Sequence, residues 1–532
     1  MKLHNKKYGI ITVALAAAMS FTACTGDLDV TPIDPNLSTP DNSLTSSDAY
    51  TALLAKCYTA LAVSSANGSS GDPDISGIDG GFGQYLRAYF NVQELPTDEA
   101  VIGWNDQTIK NFHGLCWNSS DVFVTAMYYR IIYEVSLCNE VIRQINNSGS
   151  KLTDDEKNEL SAEARCIRAL AYLHAIDLYG NVPFTDETMA VGGENPKQIS
   201  RTDLFNWLVN DINGFVQYLP DAPEKYRCGK GMAYMILAKL YLNAKVYTGT
   251  AQYEQCATAC QKIINLGYKL ESQANYFNMF NASNDEFQGV GHEIIFSVYQ
   301  DAINTQAYGG TTYIVNTECG GKMDYKAIGL GGAGWGGLRV TPQFVNKFTT
   351  SDIRGKQGVD YNGFFTTGQD KEIKDLSTFS EGYGYTKFTN LKKDGTGIDA
   401  SFVSADFPVF RLADVYLMLA ECQVVGNVKV SVNGHDGIWF FNQIRERANA
   451  ADMTTVTANN ILDERSRELA WECHRRSDLV RFNKLTTSDY IWAWKGSLSN
   501  AEGNSVDSKY NLYPIPANDI NSNTNLQQNT GY

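Results

Sequence analysis

Positive charge is in short supply. The 532 residues include 44 Lys and Arg against 59 Asp and Glu, a formal net charge of −15, and like charges do not form runs. Nucleic acid requires a basic face, so its binding is excluded as a role. Beyond residue 23 no apolar run approaches the roughly 18 residues that cross a bilayer as a helix. Histidine is scarce as well, at six residues. His292-Glu293 opens a zinc-protease pattern, but Phe296 stands where the second histidine would be. There is no Walker A loop and no GxSxG elbow. The run Gly329 to Gly334 satisfies GxGxxG, yet no clear strand precedes it and no helix directly follows, so it makes no dinucleotide motif. Cysteines lack metal spacing: Cys256 and Cys260 are four apart with no paired CxxC, and Cys166 and Cys422 sit among apolar neighbours as buried thiols. These absences predict no catalytic residue, no cofactor and no metal ligand set. Carboxylates are plentiful, however, and a glycosidase needs only two of them about 5–10 Å apart. Hydrolysis therefore stays open as an alternative.

What is present is an ordinary globular composition, 43% hydrophobic and 12% aromatic, behind an N-terminal address. Lys2, Lys6 and Lys7 precede an apolar stretch, Ile10 to Met19, and then Phe21-Thr22-Ala23-Cys24. Residues 1–23 read as a signal peptide. A small residue directly before cysteine resembles a bacterial lipobox, which implies that Cys24 is lipidated and begins the mature chain.

Residues 24–43 form a tether with Pro32, Pro35 and Pro40, and a single domain is expected over 44–532. Helical periodicity marks 44–62, where Thr45 to Asp48 resembles a capping box, then 120–147, 154–180, 201–219, 230–247 and 252–266. It resumes at 408–424, 436–449 and 459–475. Small residues alternate with large ones, as in Ala164, Ala169 and Ala171 with Leu170 and Tyr172, which suits closely paired antiparallel helices. Residues 64–118 and 270–405 are richer in glycine and aromatics, with Glu293–Val298 and Thr312–Val315 read as strands or extended loops. A C-terminal segment, 483–532, closes the chain. The predicted class is mainly α: a tetratricopeptide-like helix-pair scaffold carrying a loop-rich, partly β insertion, and loops on a rigid scaffold are where binding residues gather. In 461–476, Glu464 with Arg467, Arg465 with Glu468, and Glu472 with Arg476 are spaced to pair along an exposed helix, each worth tenths of a kcal/mol.

Six blocks stand out along the chain: AEARCIRALAYLHAIDLYGNVPF at 162–184, FPVFRLADVYLMLAE at 407–421, FNQIRERA at 441–448, ILDERSRELAWECHRRSDLVRF at 461–482, LYPIP at 512–516 and NLQQNTGY at 525–532. In this order they resemble the SusD-like (RagB/SusD) family of outer-membrane nutrient-binding lipoproteins. With DVTPIDPN at 29–36, ELPTDE at 94–99 and WAWKG at 492–496, the match is nearest the family's starch-binding branch. The resemblance implies a non-catalytic, surface-exposed protein, lipid-anchored in the outer membrane through Cys24. It would hold a glycan beside a SusC-like TonB-dependent transporter. Asp27 and Asp29, just after Cys24, resemble the surface-export signal of such lipoproteins.

Aromatics in loops are the candidate binding surface. Trp104 follows the acidic ELPTDE segment, Tyr308 precedes Gly309-Gly310, and Trp335 lies within Gly331-Gly-Ala-Gly-Trp-Gly-Gly. Sugar rings have apolar C–H faces, and one stacked ring burying about 60 Å² gains about 1.5 kcal/mol. Arg87 can donate a forked pair of hydrogen bonds to hydroxyls, and Gln107 or Asn105 can add amide contacts. By resemblance, Arg87, Trp104, Tyr308 and Trp335 match the starch-binding branch's polar contact and aromatic arc. Gln107 stands for an asparagine and Ile102 for a further tryptophan of that branch. The expected ligand is a starch-type α-glucan; another glycan or a peptide is the alternative. Asn284-Asp285-Glu286 offers oxygens that calcium could use but lacks EF-hand spacing, and is read as a solvated loop.

Overall fold

The computed structural model describes residues 40–356, 363–366 and 369–532. The signal peptide, Cys24 and the tether up to residue 39 lie outside the described residues.

Fourteen helices carry the architecture as it is used below: α1 Ser47–Ala62, α2 Tyr85–Glu94, α3 Gln107–His113, α4 Val122–Asn146, α5 Asp154–Leu178, α6 Arg201–Phe215, α7 Lys230–Leu242, α8 Ala244–Thr248, α9 Tyr253–Asn265, α10 Gly310–Glu318, α11 Leu412–Val424, α12 Gly437–Arg447, α13 Ala458–Leu469 and α14 Arg475–Arg481. Neighbouring helices pack as antiparallel pairs, α4 with α5, α7 with α9, and α11 with α12, while α9 against α11 joins the two halves of the scaffold. Alanines make this possible: Ala162, Ala164, Ala169, Ala171 and Ala175 of α5 are all buried, so the facing helices approach without a bulky side chain between them. Helix α5 opens on a reciprocal capping box between Thr153 and Glu156, and α1 is capped by Ser46, one residue later than the spacing from Thr45 suggested. One hydrophobic cluster runs from Leu44 to Leu526. Among the described residues, no helix is long and apolar enough to cross a membrane.

Three two-stranded antiparallel ladders tie distant segments together. Strand β1 (Val101–Ile102) pairs with β5 (Leu338–Arg339), β2 (Val182–Pro183) with β3 (Gln198–Ile199), and β4 (Ile294–Val298) with β6 (Phe407–Arg411). The sequence reading is corrected in several places. Residues 407–411 are a strand where a helix start was expected, because the buried run Phe-Pro-Val-Phe-Arg fills the edge of β4 before α11 begins. Residues Thr312–Val315 belong to helix α10, whose residues are all buried, so its apolar run reflects burial on every side. Segment 64–118, read as part of the loop-rich insertion, contains α2 and α3.

The largest correction concerns the charged block near 461–476. The helix breaks after Leu469, where Trp471 (φ 63°) and Cys473 (φ 64°) take left-handed conformations. Its charges are interior. Only Glu464–Arg467 pairs along the helix, at 2.6 Å. Glu468, fully buried, accepts from Arg411 (2.7 Å), Arg447 (2.5 Å), Arg354 (2.9 Å) and the Tyr276 hydroxyl (3.1 Å). Although burial opposes its charge, these guanidiniums hold its carboxyl down at about 2. Glu472 receives Arg411 and Lys387, Arg465 binds Asp414 and Asp478, and Arg475 forks onto Asp98 at 2.6 and 2.8 Å. Glu293, which opened the broken protease pattern, pairs with Arg411 and Arg447 in the same network. Desolvation offsets much of the attraction in such pairs, but breaking one leaves an uncompensated buried charge.

Candidate functional site

The surface patch starts from Gln84, which is fully buried. Its amide donates to the carbonyls of Leu61 (2.8 Å) and Ala62 (3.0 Å), at the end of α1. Its Oε1 accepts from the backbone of Arg87 (2.9 Å) and of Gly310 (3.1 Å), so it caps α2 and fixes the start of α10 at once. Gly309 is required here: a Cβ would lie 2.0 Å from Gln84 Oε1. The adjoining Tyr308 is thereby set beside Arg87, whose Nη1 donates to the Tyr308 carbonyl at 3.0 Å.

A second tie brings in the tryptophans. The β1–β5 ladder places Gly103 N on Gly337 O (3.1 Å), and Trp104 Nε1 donates to Gly336 O at 2.6 Å. Trp335 N and Gly336 N donate to Asn316 O (2.6 Å) and Cys319 O (2.8 Å), at the end of α10. The glycine-rich loop is thus held by its backbone, leaving the indole of Trp335 outside. A Cβ on Gly337 would come within 2.5 Å of Trp104 Nε1, which explains the glycine next to the ring. Arg339 is a buried clamp behind the loop, donating to the carbonyls of Thr378 (2.6 Å), Leu376 (2.5 Å) and Glu381.

Four of the five expected residues come together. The Arg87 guanidinium lies 4.5 Å from the Tyr313 ring and 5.8 Å from the Trp104 ring, and Trp104 meets Tyr313 edge-on at 6.2 Å. Tyr308 and Trp335 are 41% and 38% exposed, their centroids 6.0 Å apart and their planes inclined at 60°. Burial lowers the Arg87 pKa, and its Nε is buried without a hydrogen-bond partner. Gln107, the fifth, is exposed on the first turn of α3 and donates to Asn111 Oδ1 (2.9 Å). The nearby Asn105 accepts from Lys110 at 2.6 Å. Ile102 is buried in β1, so the position where a further tryptophan was expected in relatives faces the core.

Sequence reasoning missed Phe402, whose half-buried ring lies 5.6 Å from Tyr308 and extends the aromatic surface. It carries no flanking glycine to mark it. Gln84 was missed as well, since a buried glutamine has no local signature. His174 is buried, hydrogen-bonded to the Tyr85 hydroxyl (2.8 Å) and stacked on Tyr89, and burial pushes it down to about 3. Asp285 and Glu286 pair with Lys225 (3.0 Å) and Lys393 (2.9 Å). The GxGxxG run follows a 3-10 turn, Tyr325–Ile328. Among the described cysteines nine are buried, Cys116 is exposed, and none is bridged.

Burial raises several carboxyl groups: Glu94, Glu99, Glu134, Glu318 and Asp406 are closed off from solvent, whereas Asp519, also raised, is half-buried.

Comparison with known proteins follows the same lines. A sequence model described as the SusD family matches residues 356–532. The starch-binding protein SusD of Bacteroides thetaiotaomicron is 32% identical, over 98% of this chain and 98% of its own. SusD-like protein P25 of Formosa agariphila is 26% identical over 67% of this chain and 69% of its own. Among solved structures, a SusD superfamily protein from Parabacteroides distasonis superposes with a TM-score of 0.71 at 20% identity, covering 91% of this chain and 99% of its own. Surface glycan-binding protein A from Bacteroides thetaiotaomicron, in complex with laminarihexaose, gives 0.68 at 17% identity over 91% and 100%. These two similarities bear on the fold alone. Full-length sequence similarity, the helix-pair scaffold and the C-terminal family match agree: the chain belongs to the SusD family.

Proposed function

We propose that this chain is a non-catalytic, cell-surface glycan-binding protein that captures starch-type α-glucan and passes it to a TonB-dependent transporter of the SusC type. Trp104, Tyr308 and Trp335 would stack against sugar rings while Arg87 and Gln107 donate to hydroxyls. Lipidation at Cys24 would hold the protein to the outer membrane. The observation that carries the reading is the 60° inclination of two exposed rings, Tyr308 just before α10 and Trp335 on the backbone-locked loop after it. Inclined rings fit a ligand that curves from one residue to the next, as α-1,4-linked glucose does, better than a flat ribbon. Support also comes from the full-length relative, itself a starch-binding protein. The laminarihexaose complex of a neighbour in fold makes laminarin the most informative rival ligand.

Three stacked rings supply about 4–5 kcal/mol before the entropic cost of binding, so affinity near the millimolar range or somewhat tighter is expected. Affinity electrophoresis through gels containing amylopectin, pullulan, dextran, laminarin or xylan tests the reading. Retardation in amylopectin or pullulan is expected. Retardation only in another polysaccharide would move the ligand, and reducing-end release from any of them would refute the non-catalytic role.

A further inference from the structure

Helix α1 crosses α4 at a point where three metal-ligating side chains meet. Cys57 comes from α1; Glu134 and Cys138, four residues apart, share one face of α4. Their ligand atoms all lie within 4.8 Å of one another, and all three residues are fully buried. We propose that Cys57, Glu134 and Cys138 form a structural site for a thiophilic divalent cation, zinc by chemistry, that is taken up as the chain folds.

Two further observations point to a ligand. Glu134 Oε2 is buried with no hydrogen-bond partner, while Oε1 has only the Cys138 thiol at 3.6 Å. Arg130, one turn before it, is committed to Asp74 and to the Gly83 carbonyl. A carboxyl group closed into a helix interface with so little to bond to is rare unless something completes it. The second observation is metric. With Zn–S about 2.3 Å and Zn–O about 2.1 Å, tetrahedral ligands place sulfur and oxygen about 3.6 Å apart. The Cys138–Glu134 separation already has that value. The second carboxylate oxygen is available as a fourth donor.

Two sulfurs with a carboxylate make a mixed soft and hard set, which favours zinc over the softer Cu(I) and over oxygen-seeking calcium or magnesium. Binding displaces two thiol protons and one carboxyl proton. The resulting cluster, two thiolates and one carboxylate around a dication, carries one negative charge. Because the helices close over the site, the cation must enter before α1 docks on α4.

The test is to unfold the full chain in denaturant and refold it with equimolar Zn²⁺ or with EDTA, then desalt and measure metal by mass spectrometry. About one zinc per chain is expected after refolding with Zn²⁺, retained when EDTA is added to the native protein and absent when EDTA is present during refolding. Refolding with Co²⁺ should give a thiolate-to-cobalt absorption band in the near ultraviolet. Cys138→Ser and the isosteric Glu134→Gln should each lower retained zinc at least tenfold, whereas Cys256→Ser, in another buried thiol group, should not change it. Zinc-free wild type after refolding with Zn²⁺ would overturn the proposal. So would zinc indifferent to Cys138→Ser and Glu134→Gln, or a Cys57–Cys138 disulfide found by peptide mapping.

Discussion

Replacing Trp335 with alanine separates contact from scaffold. Its backbone N–H donates to Asn316 O and the next N–H to Cys319 O, so neither restraint on the loop uses the indole. The ring is one of the exposed large hydrophobics, 38% exposed. A sugar stacked on it buries about 60 Å² of apolar surface, worth about 1.5 kcal/mol at about 25 cal/mol per Å². That corresponds to roughly a tenfold weaker Kd. Stability should move by less than about 0.5 kcal/mol, as for an exposed substitution. Trp104→Phe is the complement. It keeps a ring but removes the 2.6 Å bond to Gly336 O that anchors the loop, costing about 1 kcal/mol of stability along with affinity. Isothermal titration with a maltooligosaccharide and urea denaturation read the two effects separately. If Trp335→Ala binds within twofold of wild type, or loses as much stability as affinity, the exposed-platform argument fails.

Three more substitutions probe the parts behind the site. Gly337→Ala should weaken glycan binding by about tenfold or more, because its Cβ would fall 2.5 Å from Trp104 Nε1 and an overpacked contact costs about 1–3 kcal/mol; titration checks it. Glu468→Gln should destabilise the fold by about 3–5 kcal/mol by leaving Arg354, Arg411 and Arg447 without their shared countercharge, measured by urea denaturation, with a loss under about 1 kcal/mol counting against a structural network. Burial, joined by the Asp98 charge, raises Glu99 to about 8 despite nearby Arg475, so the folded state keeps a proton there that the unfolded state releases near 4.5. Stability from this group is complete below about 4.5 and lost as pH rises towards 8; Glu99→Gln should flatten that part of the urea-midpoint profile.

Much of the scaffold is legible in sequence because it is written locally. The apolar rows and alanines of α4, α5 and α9 repeat at helical spacing and need no partner to be read. The aromatic arc was partly legible for a similar reason: Tyr308 and Trp335 announce themselves by adjoining glycines. Phe407–Arg411 was misread because an apolar run beside a helix has the same composition whether it extends the helix or pairs with a strand more than a hundred residues earlier. The charged helix α13 misled more deeply. Spacings of three and four fit a solvated helix as well as a buried one, and the real partners of Glu468 (Arg354, Arg411 and Arg447) are identified only by the fold. Gln84 has the same character, since its role depends on backbone atoms contributed by α1 and α10.

The Asp98–Arg475 fork spans 377 residues. At roughly 5–20 residues per second, synthesis of that interval takes on the order of 20–75 s. Through all of it Asp98 has no arginine to enter the core with, and helix α2, just upstream, has no α14 to rest against. Helix pairs such as α4 and α5 can close early, but the charged interior that locks them waits for about the last seventh of the chain. The N-terminal portion is therefore incomplete for most of its time on the ribosome. A protein built this way stays open to unfolded handling until translation is nearly finished, and then completes its core in one late, long-range step.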